Sequence, residues 1–103
     1  MKDIFIEAIR NCKLIELTFR DSDDNIKTRI CVPFDYAPSS RAKDKSDKYH
    51  FWDIDSPDGS HNLSLLPSSI ITITALEQNF EPSQYVTWAS IKWYISRDWG
   101  SYS

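Results

Sequence analysis

The stretch Lys13-Leu14-Ile15-Glu16-Leu17-Thr18-Phe19-Arg20, then Asp21-Ser22-Asp23-Asp24-Asn25, then Ile26-Lys27-Thr28-Arg29-Ile30-Cys31-Val32-Pro33, decides the fold class. Ile15, Leu17 and Phe19 alternate with Leu14, Glu16 and Thr18, the period of a half-buried strand. Asp, Ser and Asn side chains hydrogen-bond their own backbone, so residues 21–25 read as a polar turn. Ile26, Thr28, Ile30 and Val32 alternate in turn with Lys27, Arg29 and Cys31. A second strand therefore pairs back as a hairpin and ends near Pro33, which cannot donate to a ladder.

Upstream, Asp3 is placed to cap a short helix running through Cys12, with Phe5, Ala8, Ile9 and Cys12 on one apolar stripe. Downstream, residues 36–48 form a long polar loop without hydrophobic period, at the upper limit for a compact domain. Tyr49–Ile54 reads as a third strand and is closed by the turn Ser56-Pro57-Asp58-Gly59. His61–Leu65 reads as a fourth, Pro67-Ser68-Ser69 as a break, and Ile70–Leu76, rich in Ile and Thr, as a fifth. In the tail, Pro82 opens a short helix over Ser83–Val86. Ile91, Trp93 and Ile95 then alternate with Lys92, Tyr94 and Ser96, which favours a sixth strand. A continuous helix from Pro82 through Ile95 is the rival, because Tyr85, Trp88, Lys92 and Ile95 also keep helical spacing. The expected class is mainly β (α+β): an N-terminal helix, then a small five- to six-stranded antiparallel SH3-like barrel with an aromatic C-terminal extension. Residues 1–80 make the helix and barrel, and 81–103 the extension of the same single domain.

With 103 residues, the chain has the length of one domain that can bury a core without staples. Only two glycines are present, so no glycine-rich phosphate loop can be built. Cys12 and Cys31, with no apolar leader and no long apolar run, point to a reduced cytoplasmic location and no membrane. The net charge of −3 argues against a protein that coats nucleic acid with its whole surface. Residues 27–50, however, hold six basic and three acidic groups, so any anion-binding face should come from this middle third.

Arg41, Lys43, Lys45 and Lys48 run into Tyr49, His50 and Trp52. Cations beside aromatic rings suit single-stranded nucleic acid, the former for phosphates and the latter for stacked bases. The same loop reads equally as solvated surface. Alternation puts Tyr49, Phe51 and Asp53 on one strand face and His50, Trp52 and Ile54 on the other. Lys27 and Arg29 share a face and either extend the basic patch or protect an edge strand. His50 and His61 read as cross-strand neighbours that supply conditional positive charge or simply lie part-exposed. Asp53, Asp55, Asp58 and Gly59 have the wrong spacing for a calcium loop, since the bidentate position falls at Ser64. No nucleophile elbow or zinc-type spacing is present, so neither catalysis nor a metal or other cofactor is expected. Trp88, Trp93, Trp99 and Tyr102 crowd the tail, where aromatic residues either form an interaction hot spot or complete a small core. Arg97-Asp98-Trp99-Gly100 is either the turn that locks this tail down or its recognition tip.

The order helix, hairpin, loop, aromatic strand, turn, strand, strand resembles the WYL domain. Ala8-Ile9-Arg10-Asn11-Cys12-Lys13-Leu14-Ile15-Glu16-Leu17-Thr18-Phe19 is similar to that family's helix and first strand. Arg29-Ile30-Cys31-Val32-Pro33-Phe34-Asp35 is similar to the end of its second strand. Tyr49-His50-Phe51 stands where the family has Trp-Tyr-Leu. His61-Asn62-Leu63-Ser64-Leu65 and Ser68-Ser69-Ile70 fall on its last two strands, with His61 and Ser69 in place of ligand-binding arginines. The resemblance covers about residues 4–80 and implies a prokaryotic, non-catalytic regulatory or sensing module that binds an anionic ligand, such as a nucleotide or short nucleic acid. The alternative is a protein-interaction or homodimerisation module acting through the aromatic tail.

Overall fold

Ile15, Leu17 and Phe19 are buried and Glu16 is exposed, so the alternation in the hairpin does build a strand, β1 (Lys13–Arg20). A computed structural model describes residues 1–38 and 45–103 of the chain. Helix α1 (Lys2–Arg10) precedes β1, and β2 (Ile26–Pro38), β3 (Asp47–Asp53), β4 (His61–Leu65) and β5 (Ile70–Asn79) follow it. They form one antiparallel sheet in the order β4-β3-β2-β1-β5. The protein is mainly β with an N-terminal helix, as its sequence leads one to expect.

The helix supplies one side of the core. Phe5, Ala8 and Ile9 are fully buried, and Phe5 meets the rings of Tyr49 and Phe51 edge-on at 4.9 and 5.4 Å. Such edge contacts add to the area term because a ring's positive edge faces a negative face. The helix starts two residues earlier than the Asp3 cap implies: Met1 is the N-cap, and Asp3 lies in the first turn, where its charge still suits the dipole. It also stops at Arg10 rather than Cys12. Cys12 takes a left-handed φ of 53°, and its carbonyl accepts the Phe80 N–H at 2.9 Å. Its thiol is therefore half-buried in a turn, and burial raises its pKa.

Three further expectations change. Pro33 does not end β2; the strand absorbs it opposite Phe51 with an irregularity between Pro33 and Asp35, and runs on to Pro38. A bulge is the place where a strand tolerates a missing donor. The polar loop expected at 36–48 is thus shorter, since residues 36–38 belong to β2 and 47–48 to β3; Arg41 and Lys43 lie outside the described residues. The tail forms neither a sixth strand nor a long helix. After a single turn, α2 (Pro82–Tyr85), it is irregular up to a 3-10 turn at Gly100–Tyr102. Its backbone N–H groups find a side-chain partner on β2 instead of a neighbouring strand, as described below.

The turn after β1 follows its chemistry. One Asp21 carboxylate oxygen accepts the N–H groups of Asp23 and Asn25, both at 2.9 Å, while the other meets the Lys27 ammonium at 2.8 Å. The Lys27 contact and these backbone donors hold the Asp21 carboxyl below its ordinary value. The unfolded chain therefore takes up this proton first as the pH falls. The contribution is full above the ordinary carboxyl value and disappears as the pH drops through the lower folded value. Asp21→Asn is accordingly expected to flatten the acid side of the stability–pH profile below about pH 4 and to leave its neutral slope unchanged, as read by denaturation at several pH values.

Candidate functional site

Along β3 the side chains alternate between two surfaces. Tyr49, Phe51 and Asp53 turn inward, while His50, Trp52 and Ile54 are half-buried on the other face. On that second face His50 stands opposite Ser64 and Trp52 opposite Asn62 in the register with β4. The tail passes over this side of the sheet, and between them lies an open cleft of about 690 Å³. His50, Asn62 and Ser64 line it from the sheet, Ala37 and Pro38 from the end of β2, and Trp88, Lys92, Trp93 and Tyr94 from the tail.

The polar floor has a defined hydrogen-bond pattern. His50 Nε2 lies 2.7 Å from the Ala37 carbonyl oxygen, and a carbonyl only accepts, so Nε2 carries the proton. In the neutral ring Nδ1 then accepts from the Ser64 hydroxyl at 2.8 Å. The wall is aromatic. Trp88, edge-packed with Phe34 and Trp93, is 44% exposed, and Tyr94 is 72% exposed. Trp93 is anchored by its indole N–H on the Tyr102 carbonyl at 2.8 Å.

Asp35, in the bulged part of β2, sets the position of this wall. Its carboxylate accepts the backbone N–H groups of Tyr94 and Ile95, both at 2.9 Å, and that of Tyr36 at 3.0 Å. Arg97 closes the arrangement at 3.2 Å with its side chain wholly buried. It also donates to the Phe34 and Ile95 carbonyls and lies over the rings of Trp93 and Trp99, at 4.0 and 4.5 Å from their centroids. Burial pulls the guanidinium down to about 10, against the upward pull of Asp35. Arg97 is therefore the lock of the tail. Trp99 is buried, with its indole N–H donating to the Ile9 carbonyl at 2.8 Å and its ring against Phe80.

The residues singled out from the sequence divide among several places. Lys45 is exposed and Lys48 half-buried, sharing the face of His50. Tyr49 is buried against Phe5 and Tyr36 and offers no face to a base, which removes it from any stacking role. Trp52 is half-buried, packs on the core and is not among the residues that line the cleft. Lys27 and Arg29 lie on the half of β2 that pairs with β1 alone, since the ladder with β3 begins only at Cys31, but they do not face outward. They stand opposite Phe19 and Leu17, on the core-facing side, and pair with Asp21 at 2.8 Å and with buried Asp53 at 3.8 Å. His61 joins them, 3.9 Å from Asp53, in a separate hollow of about 200 Å³ that also includes Asp58. His50 and His61 are not neighbours. Their registers, opposite Ser64 and Asp53, differ by three residues, and an odd difference puts them on opposite faces. The carboxylates of Asp53 and Asp55 accept the N–H groups of Asp55 and Ile30 at 2.9 and 3.2 Å, and no metal-holding group of three ligands occurs among the described residues.

Sequence reasoning did not single out Asp35, Asn62, Ser64, Lys92 or Tyr94 as a set. An aspartate two residues after Pro33, between Phe34 and Tyr36, was the one available signal, since a carboxylate buried in an apolar run demands donors from elsewhere. Compared with known protein families, curated proteins and solved structures, the chain matches none.

Proposed function

We propose that the chain is a non-catalytic binding module that takes an anionic, aromatic ligand, a nucleotide or a few nucleotides of single-stranded nucleic acid, in the cleft between β3–β4 and the tail. The observation that carries this reading is the pairing of two exposed rings, Trp88 and Tyr94, with Lys92 and with the polar floor of His50, Asn62 and Ser64. Rings stack on bases, an ammonium meets a phosphate, and amide and hydroxyl groups meet base edges. The chain leaves β2 at Pro38, on the cleft, and its next ten residues include Arg41, Lys43, Lys45 and Lys48. The resemblance to WYL domains agrees with a regulatory or sensing role in the cytoplasm. The alternative of a tail-borne protein interface has less to use, because Trp93, Trp99 and Tyr102 hold the tail to the domain.

Anisotropy titrations with labelled short oligonucleotides and nucleotides test the reading. Binding should be saturable and weaken steeply with salt as counterions return to the phosphates. Trp88→Ala with Tyr94→Ala should reduce affinity by about tenfold or more, the equivalent of one to two lost base stacks at about 1–3 kcal/mol each. Neutralising Arg41, Lys43 and Lys45 together should remove most of the salt dependence without lowering the melting temperature. No saturable binding at low salt, or full affinity in the Trp88/Tyr94 variant, would overturn the assignment.

A further inference from the structure

Strand β5 closes one end of the sheet, paired with β1 on one side only. Every second residue of an antiparallel strand turns its N–H and C=O away from its neighbour, so β5 presents a row of donors and acceptors outward. Among the described residues, no other strand reaches that row. Natural edges are usually guarded by charge, proline or shortness. Ile70-Ile71-Thr72-Ile73-Thr74-Ala75-Leu76 has none of these over seven residues, and Ile71, Thr72, Thr74 and Ala75 are exposed. The opposite edge, β4, is shorter at five residues.

We propose that this edge pairs antiparallel with β5 of a second copy of the chain, joining two sheets about a two-fold axis at Ile73. The residue types favour a second copy over a foreign strand, because an isologous contact must be self-complementary. About Ile73 the sequence is close to symmetric: Thr72 falls opposite Thr74, Ile71 opposite Ala75, and Ile70 opposite Leu76. The first charged residue, Glu77, falls opposite Ser69, so no like charges meet although each chain carries a net charge of −3. Thr72–Ala75 is also the regular part of the ladder with β1, between two irregularities, so its outward groups keep an unbroken spacing. The threonines continue a row across the sheet, Thr72 beside Thr18 and Thr18 Oγ 3.0 Å from Thr28 Oγ. The cleft lies on other elements and stays open in the pair.

Sedimentation equilibrium of the full chain, from micromolar to near-millimolar concentration, tests this. The mass should rise towards twice the 12.0 kDa of one chain. Thr72→Lys with Thr74→Lys sets four ammonium groups around the axis and should hold the protein at the single-chain mass. Thr74 stands opposite Glu16, so its lysine has a partner within the monomer. Amide exchange on the unaltered chain gives a second readout: protection in β5, and not in β4, should increase with concentration. A single-chain mass at every concentration overturns the proposal. So does a dimer that survives both lysines, or concentration-dependent protection that falls elsewhere than β5.

Discussion

Asp35→Ala is expected to destabilise the domain by about 3–5 kcal/mol, the cost of leaving one partner of a buried ion pair uncompensated. The carboxylate serves Arg97 and three backbone N–H groups, those of Tyr36, Tyr94 and Ile95. Its removal orphans a buried guanidinium and the donors that hold residues 94–95 on β2. Arg97→Met is the informative contrast. It leaves Asp35 with its backbone donors and replaces the guanidinium against Trp93 and Trp99 with an apolar chain of similar length, so its loss should be the smaller of the two. Urea midpoints followed by tryptophan fluorescence give both values. A larger loss for Arg97→Met than for Asp35→Ala would mean that the carboxylate does not organise the tail.

Truncation after Gln84 is expected to abolish cooperative unfolding altogether. The lost segment contains Val86 and Trp99, both buried in the same cluster as Phe5, Leu17 and Phe51. Trp99 alone, as a large buried side chain, corresponds to about 3–5 kcal/mol when replaced by Ala. A domain of this size has only about 5–15 kcal/mol in total. Phe34 and Phe80 would lose their ring partners Trp93 and Trp99, at 5.8 and 5.4 Å. Heat capacity scans of the truncated chain should show no transition. A folded truncation would make residues 85–103 an appendage and return their tryptophans to the surface as candidate contact residues. The Trp99→Phe variant is the milder test, since it keeps a ring beside Phe80 while removing the donor to Ile9 and part of the ring area against Trp93 and Arg97.

The opposite outcomes of these two experiments bear on the cleft in different ways. The cleft has one wall made by the sheet and one made by the tail. A variant that loosens the tail without unfolding the sheet should lose ligand affinity through Trp88 and Tyr94 while β3 and β4 stay protected. Affinity that survives such loosening would place binding on the sheet and on the basic segment that follows Pro38.

The hairpin, the aromatic strand, the turn at residues 56–59 and the Ile/Thr-rich strand were legible in the sequence because each depends on local rules. Side chains alternate with period two, short polar residues hydrogen-bond their own backbone, and β-branched residues favour extended chain. The leading helix was legible for the same reason, through the spacing of Phe5, Ala8 and Ile9. Which face of a strand turned inward was not local. Lys27 and Arg29 looked like outward cations, yet they stand opposite buried Phe19 and Leu17, and Asp21 and Asp53 neutralise them there. The separation of His50 from His61 followed from ladder register, which no single strand specifies. The tail was least legible. Its alternation of Ile91, Trp93 and Ile95 satisfied a strand pattern, but the backbone donors at 94 and 95 are taken by Asp35, about sixty residues earlier in the chain. Sequence by itself determined the five strands, the leading helix and the mainly β class. Only the tertiary structure decided that a buried carboxylate and a guanidinium bind the tail to the sheet and thereby form the cleft, because long-range pairing of charges leaves no periodic trace in a chain.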